Sequence, residues 1–421
     1  MDELLSKTKN SQKELLLLND AERNKCLYAI KKGLLDNIDS ILKANEKDVK
    51  KAKENNISPV MVDRLLLTTE RIKSIASSID SIVTLPSPIN LVEEEIVRPN
   101  GLIIQKVRVP FGVICAIFES RPNVVVDIAS LCIKSGNACV LKGGKEAFET
   151  NKELVRIIKE SIAPFVCSDI VLLIESTSRE TTKELITKKE YIDLLIPRGS
   201  KGLISFVCEN ASIPFIETGA GNCHLYNDKD ASLEKAIDIA INAKYQRPSV
   251  CNAIETILVH ESVASSFLPM LYKEFSSLHI EMRGCPKTRN IIPVFEATEE
   301  DYYKEYNDYI VAIKVVASLD EAIAHINHYS TKHSEAIVSE NKEAFEKFFT
   351  LVDSSCLYLN ASTRFTDGGE FGFGAEIGIS TSKMHARGPM GLKEITTYKS
   401  GNPVIPDGYP SFDLYEQMFG K

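Results

Sequence analysis

The feature that most constrains the fold of this chain is an alternation of short apolar runs and amphipathic stretches that begins at Gly112. Val113–Phe118 is a continuous apolar run, the pattern of a strand that is covered on both faces. Further predicted strands alternate with predicted helices at residues 138–141, 170–174 and 191–196. This alternation predicts a parallel, doubly wound α/β sheet, in which ligands bind at the carboxyl ends of the strands. A second α/β stretch from about residue 232 to 361 predicts a second lobe, with a cleft between the two.

The segments before this pattern carry different signals. Residues 1–85 are predicted to be helical, with Asp20 as the N-cap of the second helix. Glu94–Val97 and Leu102–Val109 have strand composition, and Asn100-Gly101 lies between them. Because Asn-Gly favours the tight turn that joins two strands, this segment predicts a β-hairpin.

The charge and composition of the chain exclude several classes of function. The formal net charge of -8 and the pI near 5.6 argue against nucleic acid as the main partner, because phosphate neutralisation requires a basic surface. No apolar run is long enough for a membrane span, and the acidic start Met1-Asp2-Glu3 is unlike an export signal. The ten cysteines form no C-x-x-C pair, which argues against a structural zinc site and predicts reduced thiols in a cytoplasmic protein.

Cys251 is the first candidate for a nucleophile. It ends the stretch Gln-Arg-Pro-Ser-Val-Cys, whose proline and small polar residue predict a loop before the next strand. A catalytic thiol requires partial exposure and a nearby cation or N–H donors that favour the thiolate, and Arg247 is the nearest cation along the chain. A cysteine packed in the core is the alternative interpretation, and the local pattern does not decide between the two.

Two glycine-containing turns follow predicted strands of the first sheet. Lys142-Gly143-Gly144-Lys145 could approach a ligand closely through its glycines, and its lysines suit a ribose that carries a 2′-phosphate. Pro197-Arg198-Gly199-Ser200 precedes a predicted helix, where free backbone N–H groups can hold a phosphate. The second turn matches neither the G-x-G-x-x-G fingerprint nor a Walker loop, and a polar turn is the alternative interpretation of the first.

Two further groups of polar side chains are candidates for chemistry. Glu217 and Asn222 flank a glycine-rich turn, where a glutamate can act as a general base or hold a substrate ammonium group. A solvated glutamate is the alternative interpretation. His325, His328 and His333 form the only histidine cluster of the sequence, but no acidic or cysteine partner has the spacing of metal ligands, so no metal site is expected.

Together these segments resemble one protein family. The Cys251 loop and the preceding Glu217-Thr218-Gly219 turn resemble the nucleophile and the Glu-x-Gly loop of aldehyde dehydrogenases. The chain resembles the γ-glutamyl phosphate reductase branch of that family from end to end. The matching stretches are Val109–Val113, Phe118–Asn123, Lys134–Asn137, Ile192–Gly199, Gly221–His224, Tyr245–Asn252, Ala322–Ile326, Tyr329–Glu335, Asn360–Gly374 and His385–Gly391.

The resemblance implies an aldehyde-dehydrogenase-like α/β fold, with two doubly wound α/β lobes and a small β oligomerisation element. It implies a cofactor-binding domain made of residues 1–93 and 111–229 and a catalytic domain made of residues 230–364. Residues 94–110 and 365–421 would form the oligomerisation element. A homo-oligomer, either a dimer or a tetramer, is therefore expected.

The resemblance also implies NADP(H) as the cofactor and no metal. The cofactor-binding lysine of the family matches Lys142, and Lys145 stands where many NAD-preferring relatives have a glutamate. A lysine there attracts the 2′-phosphate that a glutamate repels. Glu305 matches the carboxylate near the nicotinamide ribose. The implied cofactor-binding residues are Lys142, Gly143, Gly144, Lys145, Gly199, Ser200 and Glu305.

The implied reaction is the NADPH-dependent reduction of L-glutamyl 5-phosphate to L-glutamate 5-semialdehyde and phosphate, the second step of proline biosynthesis from glutamate. Cys251 would form a thioester, and its N–H and a second donor would hold the oxyanion. The further catalytic or substrate-binding candidates are Asn123, Asn222, Arg121, Arg247, Arg364 and Glu217. The chain lacks the kinase domain that is fused to some relatives, so glutamate 5-kinase would be a separate protein and is a candidate partner. A hydrolytic aldehyde dehydrogenase and a non-catalytic partner of that kinase are the alternatives.

Overall fold

The computed structural model describes residues 1–99, 102–119 and 121–402, and its first part is a layer of helices. These helices are α1 (Asp2–Leu17), α2 (Asp20–Asp36), α3 (Ile38–Glu54), α4 (Pro59–Leu65) and α5 (Thr69–Thr84). Helix α2 begins with a capping box, in which the Asn19 side chain accepts the Glu22 N–H at 3.0 Å and the Glu22 carboxylate accepts the Asn19 N–H at 2.8 Å. The prediction of Asp20 as the N-cap is therefore wrong by one residue, because the carboxylate of Asp20 pairs with Lys134 at 2.9 Å instead.

An antiparallel hairpin follows the helices, as the sequence predicts. Strand β1 (Val92–Val97) pairs with β2 (Ile103–Pro110), and Val97 lies opposite Ile103. Strand β1 is exposed along its whole length. The predicted Asn100-Gly101 turn lies outside the described residues.

The first α/β sheet is parallel, and its two interior strands are buried along their whole length. Its strands are β3 (Val113–Phe118), β4 (Ala138–Gly143), β5 (Val171–Leu173) and β6 (Leu194–Arg198). The helices that alternate with and follow these strands are α6 (Asn123–Lys134), α7 (Phe148–Ile162), α8 (Arg179–Leu185) and α9 (Lys201–Asn210). The strand order β5-β4-β3-β6 places β3 between β4 and β6, so the glycine turns that follow β4 and β6 lie on either side of the end of β3.

The second α/β sheet is also parallel, with the strand order β10-β9-β11-β8-β7-β12-β13. Its strands are β7 (Cys223–Asn227), β8 (Ile254–His260), β9 (Glu281–Gly284), β10 (Phe295–Glu296), β11 (Ile310–Val316), β12 (Ser334–Val338) and β13 (Cys356–Leu359). Its helices are α10 (Leu233–Tyr245), α11 (Glu261–Ser277), α12 (Pro286–Arg289), α13 (Glu299–Tyr303), α14 (Leu319–Tyr329) and α15 (Lys342–Leu351). Strand β7 pairs with β8 and β12, so this sheet begins before residue 230, where the predicted catalytic domain starts.

The last described segment returns to the hairpin. Strands β14 (Gly378–Ser380) and β15 (Gly388–Met390) form a short antiparallel pair. Strand β16 (Thr396–Gly401) pairs with β2, so the hairpin and the C-terminal strand share one sheet. Residues 403–421 of the predicted C-terminal segment lie outside the described residues. Among the helices that the structure describes, none combines the length and the apolar character needed to cross a bilayer.

Candidate active site

Cys251 lies in the loop between α10 and β8, and contacts from two distant segments fix this loop. Arg64 of α4 donates a hydrogen bond to the carbonyl of Ser249 at 2.6 Å. The Thr363 hydroxyl donates to the carbonyl of Asn252 at 2.6 Å. Cys251 itself is half-buried, in a loop that is held on both sides.

The glycine-rich turn before β7 packs directly on this loop. A Cβ atom built on Gly221 would lie only 1.4 Å from the carbonyl oxygen of Cys251, so no side chain fits at position 221. The N–H of Gly221 donates to the carboxylate of Glu305 at 2.9 Å. Glu305 therefore lies beside the Cys251 loop, because Gly221 packs on the Cys251 carbonyl.

Asn222 anchors this turn to the second sheet. Its side-chain amide donates to the carbonyls of Tyr302 at 2.7 Å and Tyr329 at 2.9 Å, and its backbone N–H donates to the Thr331 hydroxyl at 2.9 Å. Both amide hydrogens are thus engaged, and Asn222 is fully buried. In this structure its amide holds the turn that faces Cys251 and has no hydrogen left for an oxyanion.

The four charges that act most strongly on the Cys251 thiol come from Glu376, Arg198, Glu305 and Arg121. The pKa of the thiol is raised to about 11, first by burial and then by the charges of Glu376 and Glu305. Arg198 and Arg121 act in the opposite direction. The thiol of the free protein is therefore protonated at neutral pH, with two guanidinium groups close enough to favour the thiolate.

Two of these four residues are absent from the sequence-based candidates. Glu376 lies in the glycine- and phenylalanine-rich segment, and its carboxylate accepts the Gly368 N–H at 2.9 Å. Arg198 donates to the carbonyl of Ile377 at 2.6 Å, which joins the end of β6 to that segment. In the sequence, Glu376 is a carboxylate within a glycine-rich segment, and Arg198 lies beside the predicted phosphate turn. Neither position indicates that the side chain lies near Cys251.

Glu217, by contrast, is exposed, and its described contacts do not include Cys251. Its carbonyl accepts the Thr381 N–H at 3.3 Å, and its charge contributes to raising the pKa of Cys208. The carboxylates whose charges act most strongly on Cys251 are those of Glu376 and Glu305.

The three predicted arginines lie near the Cys251 loop and influence one another. Arg364 donates to the side chains of Gln246 at 3.0 Å and of Asn252. Arg247 is exposed, and its charge helps to lower the pKa values of both Arg121 and Arg364, so the three guanidinium groups share one region. Asn123 begins α6 and donates to Asp127 at 2.9 Å. The region can therefore receive an anionic substrate.

The predicted cofactor residues lie at the carboxyl ends of β4 and β6. Lys142 is buried, with 4% of its surface exposed. Lys145 is exposed and begins a 3₁₀ turn. A Cβ atom on Gly143 would lie 2.2 Å from the Asn151 amide, so α7 packs against the backbone there. The turn at Ser200 caps α9, and its hydroxyl accepts the Leu203 N–H at 3.4 Å. The site therefore offers the buried Lys142, the exposed Lys145 and the N-terminus of α9 at Ser200. These groups suit the negative charges of a phosphorylated nucleotide.

The histidine cluster lies within the second sheet and its helices. The ring of His325 contacts those of His224, Tyr302 and Tyr329, with ring centroids 4.3 to 5.6 Å apart. Burial first, then the charge of His224, lowers the pKa of His325 to about 2. His325 is thus a neutral packing residue. No group of potential metal ligands occurs in the described part of the chain.

The fold and this site define an aldehyde dehydrogenase, with two parallel α/β sheets and a loop cysteine held against a glycine-rich turn. The aldehyde dehydrogenase family model matches residues 1–311, and proteins of this family use a nicotinamide cofactor. The chain is 52% identical over 395 residues to γ-glutamyl phosphate reductase of Caldanaerobacter subterraneus subsp. tengcongensis. This alignment covers 93% of this chain and 95% of the relative. The chain belongs to the γ-glutamyl phosphate reductases within the aldehyde dehydrogenase family.

Solved structures agree with this assignment. The crystal structure of γ-glutamyl phosphate reductase from Thermotoga maritima has a TM-score of 0.92 and 46% identity, covering 96% of this chain and 99% of that one. An engineered glycolyl-CoA reductase with bound NADP⁺ shares the fold, with a TM-score of 0.70 and 18% identity, covering 95% of this chain and 96% of that one. The predicted aldehyde-dehydrogenase-like α/β fold is confirmed.

Proposed function

We propose that this chain reduces L-glutamyl 5-phosphate to L-glutamate 5-semialdehyde and phosphate with NADPH, the second step of proline biosynthesis from glutamate. The observation that carries the proposal is the packing of the Cys251 loop on Gly221, whose N–H is held by Glu305. This arrangement occurs in a chain 52% identical to a reductase of that name.

Cys251 provides the nucleophile of the proposed reaction. Its thiolate attacks the carbonyl carbon of the acyl phosphate, the C–S bond forms, and the C–O bond to the leaving phosphate breaks. The Cys251 N–H and a second donor, for which Asn123 is the remaining asparagine candidate, hold the oxyanion. The nicotinamide, when bound, supplies the hydride that reduces the thioester. Collapse of the thiohemiacetal breaks the C–S bond and returns the thiolate.

The guanidinium groups beside Cys251 receive the anionic ends of the substrate. L-glutamyl 5-phosphate carries a phosphate and an α-carboxylate, and both suit the fork geometry of guanidinium. Arg121, Arg247 and Arg364 are the residues that we assign to these groups. We retain Glu217 as a residue for substrate binding or proton transfer, because hydrolysis through an activated water would waste the thioester.

NADP(H) is the proposed form of the cofactor. Lys142, Gly143, Gly144, Gly199 and Ser200 would hold its phosphates and ribose, Glu305 the nicotinamide ribose, and Lys145 the 2′-phosphate. Lys145→Glu should shift the preference toward NADH, whereas Lys145→Gln should lose selectivity without reversing it. The ratio of kcat/KM for NADPH and NADH measures this preference, and an unchanged ratio in both variants would exclude Lys145 from the 2′-phosphate site.

The substrate chemistry also suggests partners. An acyl phosphate is labile, so we propose a separate glutamate 5-kinase as its source, a homo-oligomer as the working form, and the cytoplasm as the compartment. Among the described residues, the three-stranded sheet of β1, β2 and β16 exposes apolar side chains at Val92, Ile96, Val97 and Tyr398, and Leu91, which precedes β1, is also exposed. This sheet is the proposed oligomerisation surface.

The test follows NADPH formation from L-glutamate 5-semialdehyde and NADP⁺, with and without phosphate. The wild type should require phosphate, Cys251→Ala should be inactive, and Cys208→Ala, the loss of another half-buried thiol, should retain activity. Turnover without phosphate would assign the chain to the hydrolytic aldehyde dehydrogenases instead. A folded wild type that binds cofactor without turnover would support the non-catalytic alternative.

A further inference from the structure

The carboxylate of Glu119 occupies the anion-binding end of helix α9. One of its oxygens accepts the backbone N–H of Ser200 at 2.8 Å, and the other accepts the Ser200 hydroxyl at 2.9 Å. Ser200 is the N-cap of α9, where unpaired N–H groups and the helix dipole favour a negative charge. The sequence predicts a phosphate at this turn, and in the structure a carboxylate of the chain itself stands there.

The backbone around this contact shows how closely the carboxylate covers the turn. A Cβ atom built on Gly199 would lie 2.7 Å from the carboxyl carbon of Glu119. On the opposite side, a Cβ atom built on Gly144 would lie 3.5 Å from the Cα atom of Glu119. Glu119 follows β3, so it stands between the two glycine turns to which the proposed function assigns the cofactor.

A second feature of the same sheet edge is a buried lysine that has no counter-charge among the described residues. Lys142 has 4% of its surface exposed, and its one polar contact within the described residues is with the Gly143 carbonyl at 3.5 Å. It forms no ion pair in the described part of the chain, and burial lowers its pKa. A buried ammonium group without a counter-charge is costly, and a bound anion at this edge removes that cost.

We propose that Glu119 is a displaceable occupant of the diphosphate position of the cofactor. The diphosphate of bound NADPH takes over the contacts with Ser200, and the Glu119 side chain turns away to avoid its charge. The inference rests on the proposed function, because it assumes a dinucleotide at this edge. Glu119 preserves the capped turn in the free protein and weakens cofactor binding, so its removal strengthens binding.

The direction of this effect separates the inference from a purely structural role. Glu119→Gln should lower the Kd for NADPH about tenfold, because the ligand no longer displaces a charged hydrogen-bond acceptor. Isothermal titration of the full-length protein with NADPH, without substrate, gives this value. Inorganic pyrophosphate, used as a competitor, should also gain affinity in the variant.

Glu146→Gln is the matched control for charge. The Glu146 carboxylate lies 2.7 Å from the position of a Cβ atom on Gly144 and has no contact with Ser200 among the described residues. The same loss of one negative charge should therefore change the Kd by less than about twofold, since a charge at the edge is screened by salt. An equal gain in both variants would overturn the inference.

Other outcomes decide between the two proposals. An unchanged or higher Kd in Glu119→Gln, and in Glu119→Ala if the first variant does not fold, would overturn the inference while leaving the proposed reaction intact. Tighter NADPH binding in Glu119→Gln, together with a wild type that shows no phosphate-dependent turnover, would support the inference and reject the reaction. Thermal unfolding of each variant shows that the binding values come from folded protein.

Discussion

Lys244 and Glu255 form an ion pair of 2.5 Å in which neither side chain has solvent-exposed surface. The second oxygen of Glu255 accepts the N–H of Asn307 at 3.2 Å, at a residue whose φ of 56° is left-handed. Two residues earlier, Glu305 accepts the Gly221 N–H at 2.9 Å. The buried pair therefore fixes the loop in which the carboxylate of Glu305 holds the turn beside Cys251.

Breaking this pair should destabilise the protein strongly. Glu255→Leu leaves the buried ammonium of Lys244 without a counter-charge, and we expect the free energy of unfolding to fall by about 3–5 kcal/mol. The double variant Lys244→Met/Glu255→Leu should recover most of that loss, because apolar side chains of similar volume replace buried pairs well. Urea unfolding at neutral pH measures both values. A loss of about 1 kcal/mol or less in the single variant would contradict the described burial of the pair.

Alkylation of Cys251 should increase steadily with pH. Since the thiolate is the reacting form and the pKa of Cys251 is raised to about 11, the rate should rise about tenfold per pH unit between about pH 7 and 10. Mass spectrometry after timed iodoacetamide treatment follows the modification at this residue. Cys251→Ala serves as the blank. A plateau near pH 8 in the free protein would show that the thiol is already ionised there.

Removing the negative charge of Glu376 should make Cys251 more reactive. This carboxylate makes the largest charge contribution that raises the pKa of the thiol, so Glu376→Gln should lower that pKa. We expect alkylation at pH 8 to accelerate by up to about tenfold, the effect of one pKa unit. Glu217→Gln is the control, because the charge of Glu217 is not among the causes that raise the pKa of this thiol in the free protein. Equal acceleration in both variants would refute the assignment of Glu376.

Substitution of Gly221 should abolish turnover. A Cβ atom there would lie 1.4 Å from the Cys251 carbonyl oxygen, so Gly221→Ala has to displace the loop that carries Cys251. A displacement of about 1 Å can cost about 100-fold in kcat, and we expect at least this loss. Gly219→Ala is the comparison, since its Cβ atom would meet the side chain of Thr381 at 2.9 Å, where a rotation can relieve the contact. Near-normal kcat in Gly221→Ala would mean that the two loops are less closely packed than described.

The sequence by itself determined the elements and the chemistry that they carry. The continuous apolar run of Val113–Phe118 encodes a strand buried on both faces, and the structure has that strand with the same bounds. The Asn-Gly signal indicated the hairpin, and the motif around Cys251 predicted a nucleophile there. These features are legible because strand periodicity, turn chemistry and a matching motif are properties of neighbouring residues.

The tertiary structure decided which of these residues meet. Strand β7 belongs to the second sheet because it pairs with β8 and β12, and both of these strands come later in the chain. Glu376 acts on Cys251 and Glu119 covers Ser200 because of strand order and loop packing, and no local pattern encodes either contact. A charged side chain takes the counter-charge or hydrogen-bond donor that folding brings near it, so its partner can be any residue along the chain. For that reason the sequence predicted a phosphate turn and a nucleophile, while only the folded chain showed that a carboxylate stands at that turn and that charges of both signs act on Cys251.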